Sequence, residues 1–451
     1  MHEFLYRLYY IASMEKIIFA PATAIGVSAI SIIRVSGIGC KNILEILING
    51  SIPEEKVLSL RSFYFPNKKK VIDKCLVCWM SKKNSYTGED SFEIQCHGGV
   101  AVMNSFFEAL FTFENVRFAE QGEFTKRAII NGKMNLIDAE AVNDLIQSET
   151  EEQRALAIKQ LNEGLSIPIK RWRGLLVKSM ANIEANIDFS DEGDVAENKI
   201  SKTSLTKLSK ELKETIEISR EHEIIKDGVR IVLTGKTNAG KSSLFNRIIK
   251  NEKSIVTDIP GTTRDIIEAK INIKGYSVTI IDTAGINKTK DIIEKEGIKR
   301  AKDQIKKADL VLNVIDSLKF REEDKKLNHW NIFNKVDKLN QFKLLENRGV
   351  RSFKVSAKSG EGINELLEQI YNHIRFNTKK IRNANFFYSN QRQRKELEEA
   401  SLFVEKAINE HQEEITAEYL RMANRGLGRI LGEVDIEEVL GDIFSSFCIG
   451  K

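Results

Sequence analysis

The chain has 451 residues, enough for about three domains of ordinary size. Its composition, 42% hydrophobic and 29% charged, is ordinary for a soluble globular protein, and the net charge of +5 permits a nucleic-acid partner without arguing for one. Five cysteines at scattered positions exclude a disulfide framework and point to a reducing compartment, so the expected location is the cytoplasm.

Met14 offers an alternative start, in which case residues 1–13 are extra and disordered. The uncharged stretch from Ile17 to Ile33 contains Pro21 and Gly26 and is short of a membrane span, so it is read as the first strand of the fold. No membrane association is expected. Residues 14–133 mix strand and helix patterns, with turn-like punctuation at "SGIG", "SYTGED" and "CHGG". Cys75 and Cys78 form a C-x-x-C that can bind metal or do redox work, but "VIDKCLVCWM" alternates like a half-buried strand and no second Cys/His pair follows. Residues 134–222 are rich in Glu, Lys, Ala and Leu, with Leu205, Leu208, Leu212 and Ile216 at helical spacing. Residues 223–376 alternate short apolar runs with helical stretches, the pattern of a parallel α/β domain. Residues 377–451 return to helix, with Leu397, Ala400, Val404 and Ala407 on one face. The expected fold is therefore multidomain: an α+β N-terminal domain, then an all-α domain in two halves (134–222 and 377–451) into which an α/β domain (223–376) is inserted.

The inserted domain carries the chemistry. "VRIVLTGKTNAGKSS" is a strand, a glycine-rich turn and a helix start, and Gly235-x4-Gly240-Lys241-Ser242 fits a phosphate loop. Glycines let backbone N–H groups converge on phosphates; Lys241 reaches the β- and γ-phosphates and Ser242 ligates Mg²⁺. Asn238, Ala239 and Ser243 complete the loop's contacts. In "TDIPGTTRD", Thr263 can close on Mg²⁺. In "IIDTAG", Asp282 supports the metal and the Gly285 N–H can meet the γ-phosphate, with Thr283 and Ala284 between them. In "NKVD", Asn334 and Lys335 lead to Asp337, whose carboxylate pairs with guanine N1–H and N2–H; adenine lacks that donor pair. In "VSAKSGEG", flanked by Ser356 and Lys358, the Ala357 N–H is expected on guanine O6. Together these elements define a Ras-like GTP-binding domain. Ile286 stands where many GTPases place a water-orienting glutamine, so hydrolysis must use another residue, a partner or an ion. Asn238 is placed either to ligate a monovalent cation beside the β,γ bridge or to cap the loop.

Beyond these motifs, "APATAIG", "SIIRVSG", "SYTGEDSFEIQCHGG", "GEFTKRAIINGKMNLIDAEAVNDLI", "IDFSDE" and the terminal "FSSFCIGK" give a chain that, from Met14 to Lys451, resembles the tRNA-modifying GTPase family MnmE, also called TrmE. The resemblance implies a folate-binding, dimerising N-terminal domain (14–133), a helical domain carrying the GTPase domain, and a homodimer. It also implies a flavin-dependent partner, MnmG (GidA), in a heterotetramer or larger complex. Together they would add a (carboxymethyl)aminomethyl group to C5 of the wobble uridine of tRNA, drawing the one-carbon unit from a reduced folate (5-formyl- or 5,10-methylene-tetrahydrofolate). It implies K⁺ and G-domain dimerisation in place of an arginine finger. K⁺ ligands then fall on Asn238, Thr257, Ile259 and Thr262, within a loop that includes Asp258, Pro260 and Gly261. Glu294 matches the residue that orients the attacking water, and Arg34, Glu93, Lys133 and Lys451 match folate-contacting positions.

The terminal Cys448-Ile-Gly-Lys is a poor prenylation signal, because Gly450 and Lys451 fit badly and no polybasic segment precedes it. The resemblance puts Cys448 near the folate, either as a nucleophile or as part of a structural tail. The competing reading is a ribosome-assembly or RNA-binding GTPase switch of the Era or Der type, which would need an RNA-binding domain after the GTPase domain or a second GTPase domain; the chain has neither pattern.

Overall fold

The computed structural model describes residues 16–188, 202–251, 267–283, 302–339, 351–379, 390–434, 447 and 450. Two compact units emerge, residues 1–143 with 427–451 and residues 144–426.

In the first unit, six strands form one sheet in the order β3-β4-β5-β2-β1-β6. They are β1 (Ile17–Pro21), β2 (Ser28–Ser36), β3 (Ser59–Tyr64), β4 (Val71–Met80), β5 (Ser91–Gly98) and β6 (Val116–Phe118). All neighbours are antiparallel except β1 and β6. The stretch expected as a single first strand is two: Pro21 has no N–H to give a ladder, the chain turns through residues 22–27, and β2 returns antiparallel with Ile18 opposite Ser36. On β4, Cys75, Val77 and Trp79 are buried while Cys78 lies on the other face. Strand alternation thus parts the two cysteines, and burial pushes the Cys75 thiol up. The helices Cys40–Ile48 and Val100–Phe111 cover one face, burying Leu44, Leu47, Phe106 and Leu110 against Phe19, Ile33, Phe63 and Phe92.

Near the helix Glu123–Ile130 lies a buried ion network. Arg127 is fully buried; its Nη1 donates to Glu89 Oε1 and Oε2 at 3.1 and 3.0 Å, and its Nη2 to Glu123 Oε1 and the Lys16 carbonyl, both at 3.0 Å. Arg117 grips the same Glu123 carboxylate at 2.6 and 2.7 Å. Burial alone would raise the Glu123 carboxyl, but the bonds from Arg117 and the Glu120 N–H, with the charges of Arg127 and Arg117, hold it below its ordinary value. The stability this group contributes is present above the ordinary glutamate pKa and is lost as pH falls through the depressed one.

The second unit combines helices with a second sheet. The helices Lys202–Lys226 and Gln391–Asn409 lie antiparallel, since Glu223 meets Arg394 at 3.0 Å and Lys213 pairs with Glu405. They bury Leu205, Leu208, Leu212 and Thr215 on one side and Leu397, Ala400, Val404 and Ala407 on the other. Ile216 is only half-buried and Thr215 takes its expected place, because a 3.6-residue period drifts across a long helix. Segments before and after the α/β sheet thus pack on each other, as an inserted domain requires. The helix Lys202–Lys226 runs four residues past the expected boundary at 222.

That sheet has the order β12-β11-β10-β7-β9-β8, parallel except for β8. Its strands are β7 (Val229–Thr234), β8 (Ile267–Ile273), β9 (Tyr276–Asp282), β10 (Leu310–Asp316), β11 (Trp330–Asn334) and β12 (Ser352–Lys354). The polar start of β11 is accommodated because buried Asn331 accepts from Asn313 Nδ2 at 2.8 Å and from the Lys326 N–H at 3.0 Å. Parallel order brings the carboxyl ends of β7, β9, β10 and β11 to one edge, where ligands of such sheets bind.

Arg127→Met is expected to cost about 3 kcal/mol or more, because it takes the arginine from the buried Glu89 carboxylate and leaves Glu123 to Arg117 alone. Hydrogen exchange of the Glu123–Ile130 amides checks this, and unchanged protection would contradict it.

Candidate functional site

The site grows from the turn after β7. Gly235 has φ +136°, and a Cβ there would lie 2.1 Å from the Val314 carbonyl. Gly240 has φ +95°, and its Cβ would lie 2.2 Å from Asn334 Nδ2. Neither position admits a side chain, so the loop runs close against β10 and β11 before the helix Lys241–Asn251 begins. Lys241 is 8% exposed, and its Nζ donates to the carbonyls of Gly235 and Lys236 at 2.9 and 3.0 Å, folding the ammonium back over the loop. Burial lowers its pKa, and the charge of Asp282 opposes that shift. Ser242 Oγ donates to Asp282 Oδ2 at 2.6 Å, and Asp282, at the end of β9, is fully buried. Thr283 Oγ1 donates to the Leu233 carbonyl at 2.8 Å and pins β9 to β7.

Opposite this loop stands Asn334, 1% exposed. Its Nδ2 donates to the Ala239 carbonyl at 3.0 Å; its Oδ1 accepts from the N–H groups of Lys335 at 2.9 Å and Ala357 at 3.0 Å. One carboxamide therefore ties the phosphate loop, the N-K-x-D turn and the S-A-K loop together. Lys335, at φ +71°, adds a second tie, with Nζ on the Asn238 carbonyl at 2.8 Å and on Asp316 Oδ2 at 2.6 Å. Burial pushes the Asp316 carboxyl up, but the bonds from Lys335 and the Leu318 N–H carry it below its ordinary value. Exposed Asp337 accepts from Ser356 Oγ at 2.6 Å. Arg247 reaches across from the helix to the carbonyls of Ala357, at 2.8 Å, and Lys358. The Ala357 N–H, expected on guanine O6, donates to Asn334 Oδ1 in this structure. Beside the phosphate loop lies a cavity of about 440 Å³, lined by Gly235–Ala239, Asn313–Asp316 and the turn carrying Asp324. Lys236 Nζ pairs with Asp324 across it at 2.5 Å.

The chemistry of these donors fits the groups expected of them. The Ser242 hydroxyl against a buried carboxylate is a hard-oxygen pair suited to Mg²⁺. Asn238, at φ +62° with an exposed side chain, has an amide oxygen suited to a monovalent cation. Thr257, Asp258, Ile259, Pro260, Gly261, Thr262, Thr263, Ala284, Gly285, Ile286 and Glu294 lie outside the described residues, as do Cys448 and Lys451. Among the described residues no cluster of His, Cys, Asp and Glu of metal-site size occurs, and no helix is long and apolar enough to cross a membrane.

In the first unit, Arg34 on β2 lies opposite Glu93 on β5, and its Nε donates to Glu93 Oε1 at 2.9 Å. The rings of Tyr86 and Phe124 flank its guanidinium at 5.5 and 5.6 Å, and Nη1 donates to the Gly450 carbonyl at 3.1 Å. Lys133 stands on the Ser81–Asp90 loop, with Nζ on the Lys83 carbonyl at 2.6 Å. The structure thus joins Arg34 and Glu93, and seats Lys133 on a neighbouring loop. The aromatic faces around Arg34 and its bond to Gly450 carried no local sequence signal, since they come from separate parts of the chain.

A loop built to close on phosphates, tied by an asparagine to a loop built to read guanine, defines the class: a P-loop GTPase domain on a Ras-like sheet. The family follows from comparison with known proteins. The model for the MnmE helical domain matches residues 136–448, and that for the GTP-binding protein TrmE N-terminus matches residues 17–133. The chain is 38% identical to the tRNA modification GTPase MnmE of Aquifex aeolicus (strain VF5), covering 97% of this chain and 100% of that protein. It is 40% identical to the tRNA modification GTPase MnmE of Pelagibacter ubique (strain HTCC1062), covering 96% and 100%. Among solved structures, the G domain of the T. maritima FeoB iron transporter aligns at 28% identity with a TM-score of 0.26, covering 32% of this chain and 98% of that one. The chain belongs to the MnmE (TrmE) family.

Asn334→Ala removes three hydrogen bonds of about 1 kcal/mol each and is expected to weaken GDP and GTP alike by ~100-fold. Titration with a fluorescent guanine nucleotide measures this. An affinity within threefold of the unaltered chain would contradict the three-loop tie.

Proposed function

We propose that this protein is the GTP-hydrolysing component of a tRNA-modifying complex that adds a (carboxymethyl)aminomethyl group to C5 of the wobble uridine. The observation that carries the reading is the end-to-end match to tRNA modification GTPases, which takes in the N-terminal unit and the helices as well as the GTPase domain. The Era-type alternative loses ground on the same observation, because it accounts for the GTPase domain alone.

In this reading Lys241 leaves the carbonyls of Gly235 and Lys236 for the β- and γ-phosphates, exchanging two neutral acceptors for charged ones. Ser242 and Thr263 hold Mg²⁺, with Asp282 fixing the Ser242 hydroxyl; the metal supplies charge neutralisation on the phosphates. Asp337 reads guanine, held in place by Ser356. With Ile286 unable to orient water, Glu294 takes that role. Asn238, Thr257, Ile259 and Thr262 hold K⁺, which supplies the positive charge that an arginine finger brings elsewhere. Arg34, Glu93, Lys133 and Lys451 bind a reduced folate, and Cys448 acts on uridine C6 or on a one-carbon adduct. The chain works as a cytoplasmic homodimer with the flavin-dependent partner MnmG and tRNA.

Three outcomes follow from these assignments. GTP should outcompete ATP, and Asp337→Asn should shift preference toward xanthine nucleotides; equal binding of ATP and GTP by the unaltered chain would remove the guanine assignment. Turnover should be high in KCl and weak in NaCl at matched ionic strength, and Asn238→Ala should abolish the difference; equal rates in both salts for the unaltered chain would sink the K⁺ role. Cys448→Ser should abolish or severely reduce wobble-uridine modification, since serine is a far weaker nucleophile at neutral pH. Nucleoside analysis of tRNA from cells carrying only that variant decides the point, and normal modified uridine would favour the structural-tail reading.

A further inference from the structure

Another cavity, of about 460 Å³, lies in the second unit and shares no residue with the phosphate loop. Its walls are residues 144–149, one face of the helix Glu151–Glu163, the end of the helix Lys202–Lys226, and β8 and β9 at the edge of the GTPase sheet. Hydrogen bonds fix this frame. Gln153 Oε1 accepts from the N–H groups of Glu149 and Thr150 at 2.9 and 3.1 Å, and its Nε2 donates to the Lys226 carbonyl at 2.8 Å. Lys226 Nζ pairs with Asp144 Oδ1 at 2.8 Å, and Lys270 Nζ, on β8, pairs with Glu149 Oε1 at 3.1 Å. Two turns further along the same helix, Gln160 also lines the cavity. It is 2% exposed, yet among the described residues neither its Nε2 nor its Oε1 has a hydrogen-bond partner. A buried carboxamide in that state costs free energy, which a ligand carrying the complementary groups recovers.

We propose that this cavity binds an uncharged nucleoside, with the Gln160 carboxamide on the edge of the base. A carboxamide offers a donor and an acceptor side by side, and nucleobase edges such as adenine N6–H and N7 present the complement. Leu156 and Ala157 lie between Gln153 and Gln160 on the helix and supply apolar surface for a flat ring. The volume falls in the range of small-molecule sites. Charge selects against a phosphate. Both ammonium groups of the lining are already paired, while Asp227 adds a third carboxylate to those of Asp144 and Glu149. Carboxylates accept from sugar hydroxyls and repel phosphate oxygens. The site therefore differs in kind from the phosphate loop, and filling one leaves the residues of the other free.

The test is equilibrium dialysis of the full chain, with its phosphate loop filled by GDP and Mg²⁺, against labelled adenosine, guanosine, cytidine and uridine in turn. At least one is expected to bind with a Kd below ~1 mM. The 5′-monophosphate of that nucleoside should bind ~10-fold more weakly, because of the carboxylates of the lining. Gln160→Leu keeps a side chain of similar size and removes the amide. It should weaken nucleoside binding by ~10-fold or more and leave GDP affinity unchanged, which reports that the variant is folded. Absence of binding by all four nucleosides at ~5 mM would overturn the proposal and leave the cavity to water. Nucleoside binding undiminished in Gln160→Leu would overturn the role of the carboxamide. A monophosphate bound as tightly as its nucleoside, measured on the unaltered chain, would overturn the ligand class.

Discussion

The GTPase half of this protein depends on one buried carboxamide. Asn334 stands at the end of β11 with both its oxygen and its nitrogen committed, to the Ala239 carbonyl on one side and to the N–H groups of Lys335 and Ala357 on the other. Its approach to the phosphate loop is so close that only a glycine is accommodated at 240. Phosphate and base recognition are therefore not separate modules. A shift in the loop that reads guanine moves the loop that holds phosphate, because buried polar groups must keep their partners. Lys335 and Asp316 reinforce the tie with a charge-assisted bond.

Much of this was legible in the sequence, because the motifs are local. Gly235, Gly240 and Lys241 have the spacing expected of a phosphate loop, and Asp337 is the residue expected to read guanine. The two helical flanks were legible from period, and Leu397, Ala400, Val404 and Ala407 are all buried. What escaped depends on contacts between distant residues. The turn at Pro21–Gly26 made two strands of an expected single one, since alternation reads through a reversal. The bond from the Ala357 N–H to Asn334 Oδ1 joins residues 23 positions apart and has no local signal. Lys236–Asp324 and Arg247–Lys358 each join residues more than 80 positions apart, and no window of sequence shows them.

The N-terminal unit follows a different rule. Its sheet brings Arg34 and Glu93 into register, two aromatic rings flank the guanidinium, and the Gly450 carbonyl accepts from it. Phe447 packs in an apolar cluster with Ile129, Leu136 and Ala139, and Gly450 stands where a side chain would meet the Pro21 carbonyl.

The central claim is that nucleotide turnover at the phosphate loop drives modification of the wobble uridine. The most direct measurement is the modified-uridine content of tRNA from cells whose only copy of this chain carries Lys241→Ala, compared with cells carrying the unaltered chain at the same protein level. The account predicts loss of the modified nucleoside, because the ammonium that must reach the phosphates is gone. Full modification with Lys241→Ala would contradict it.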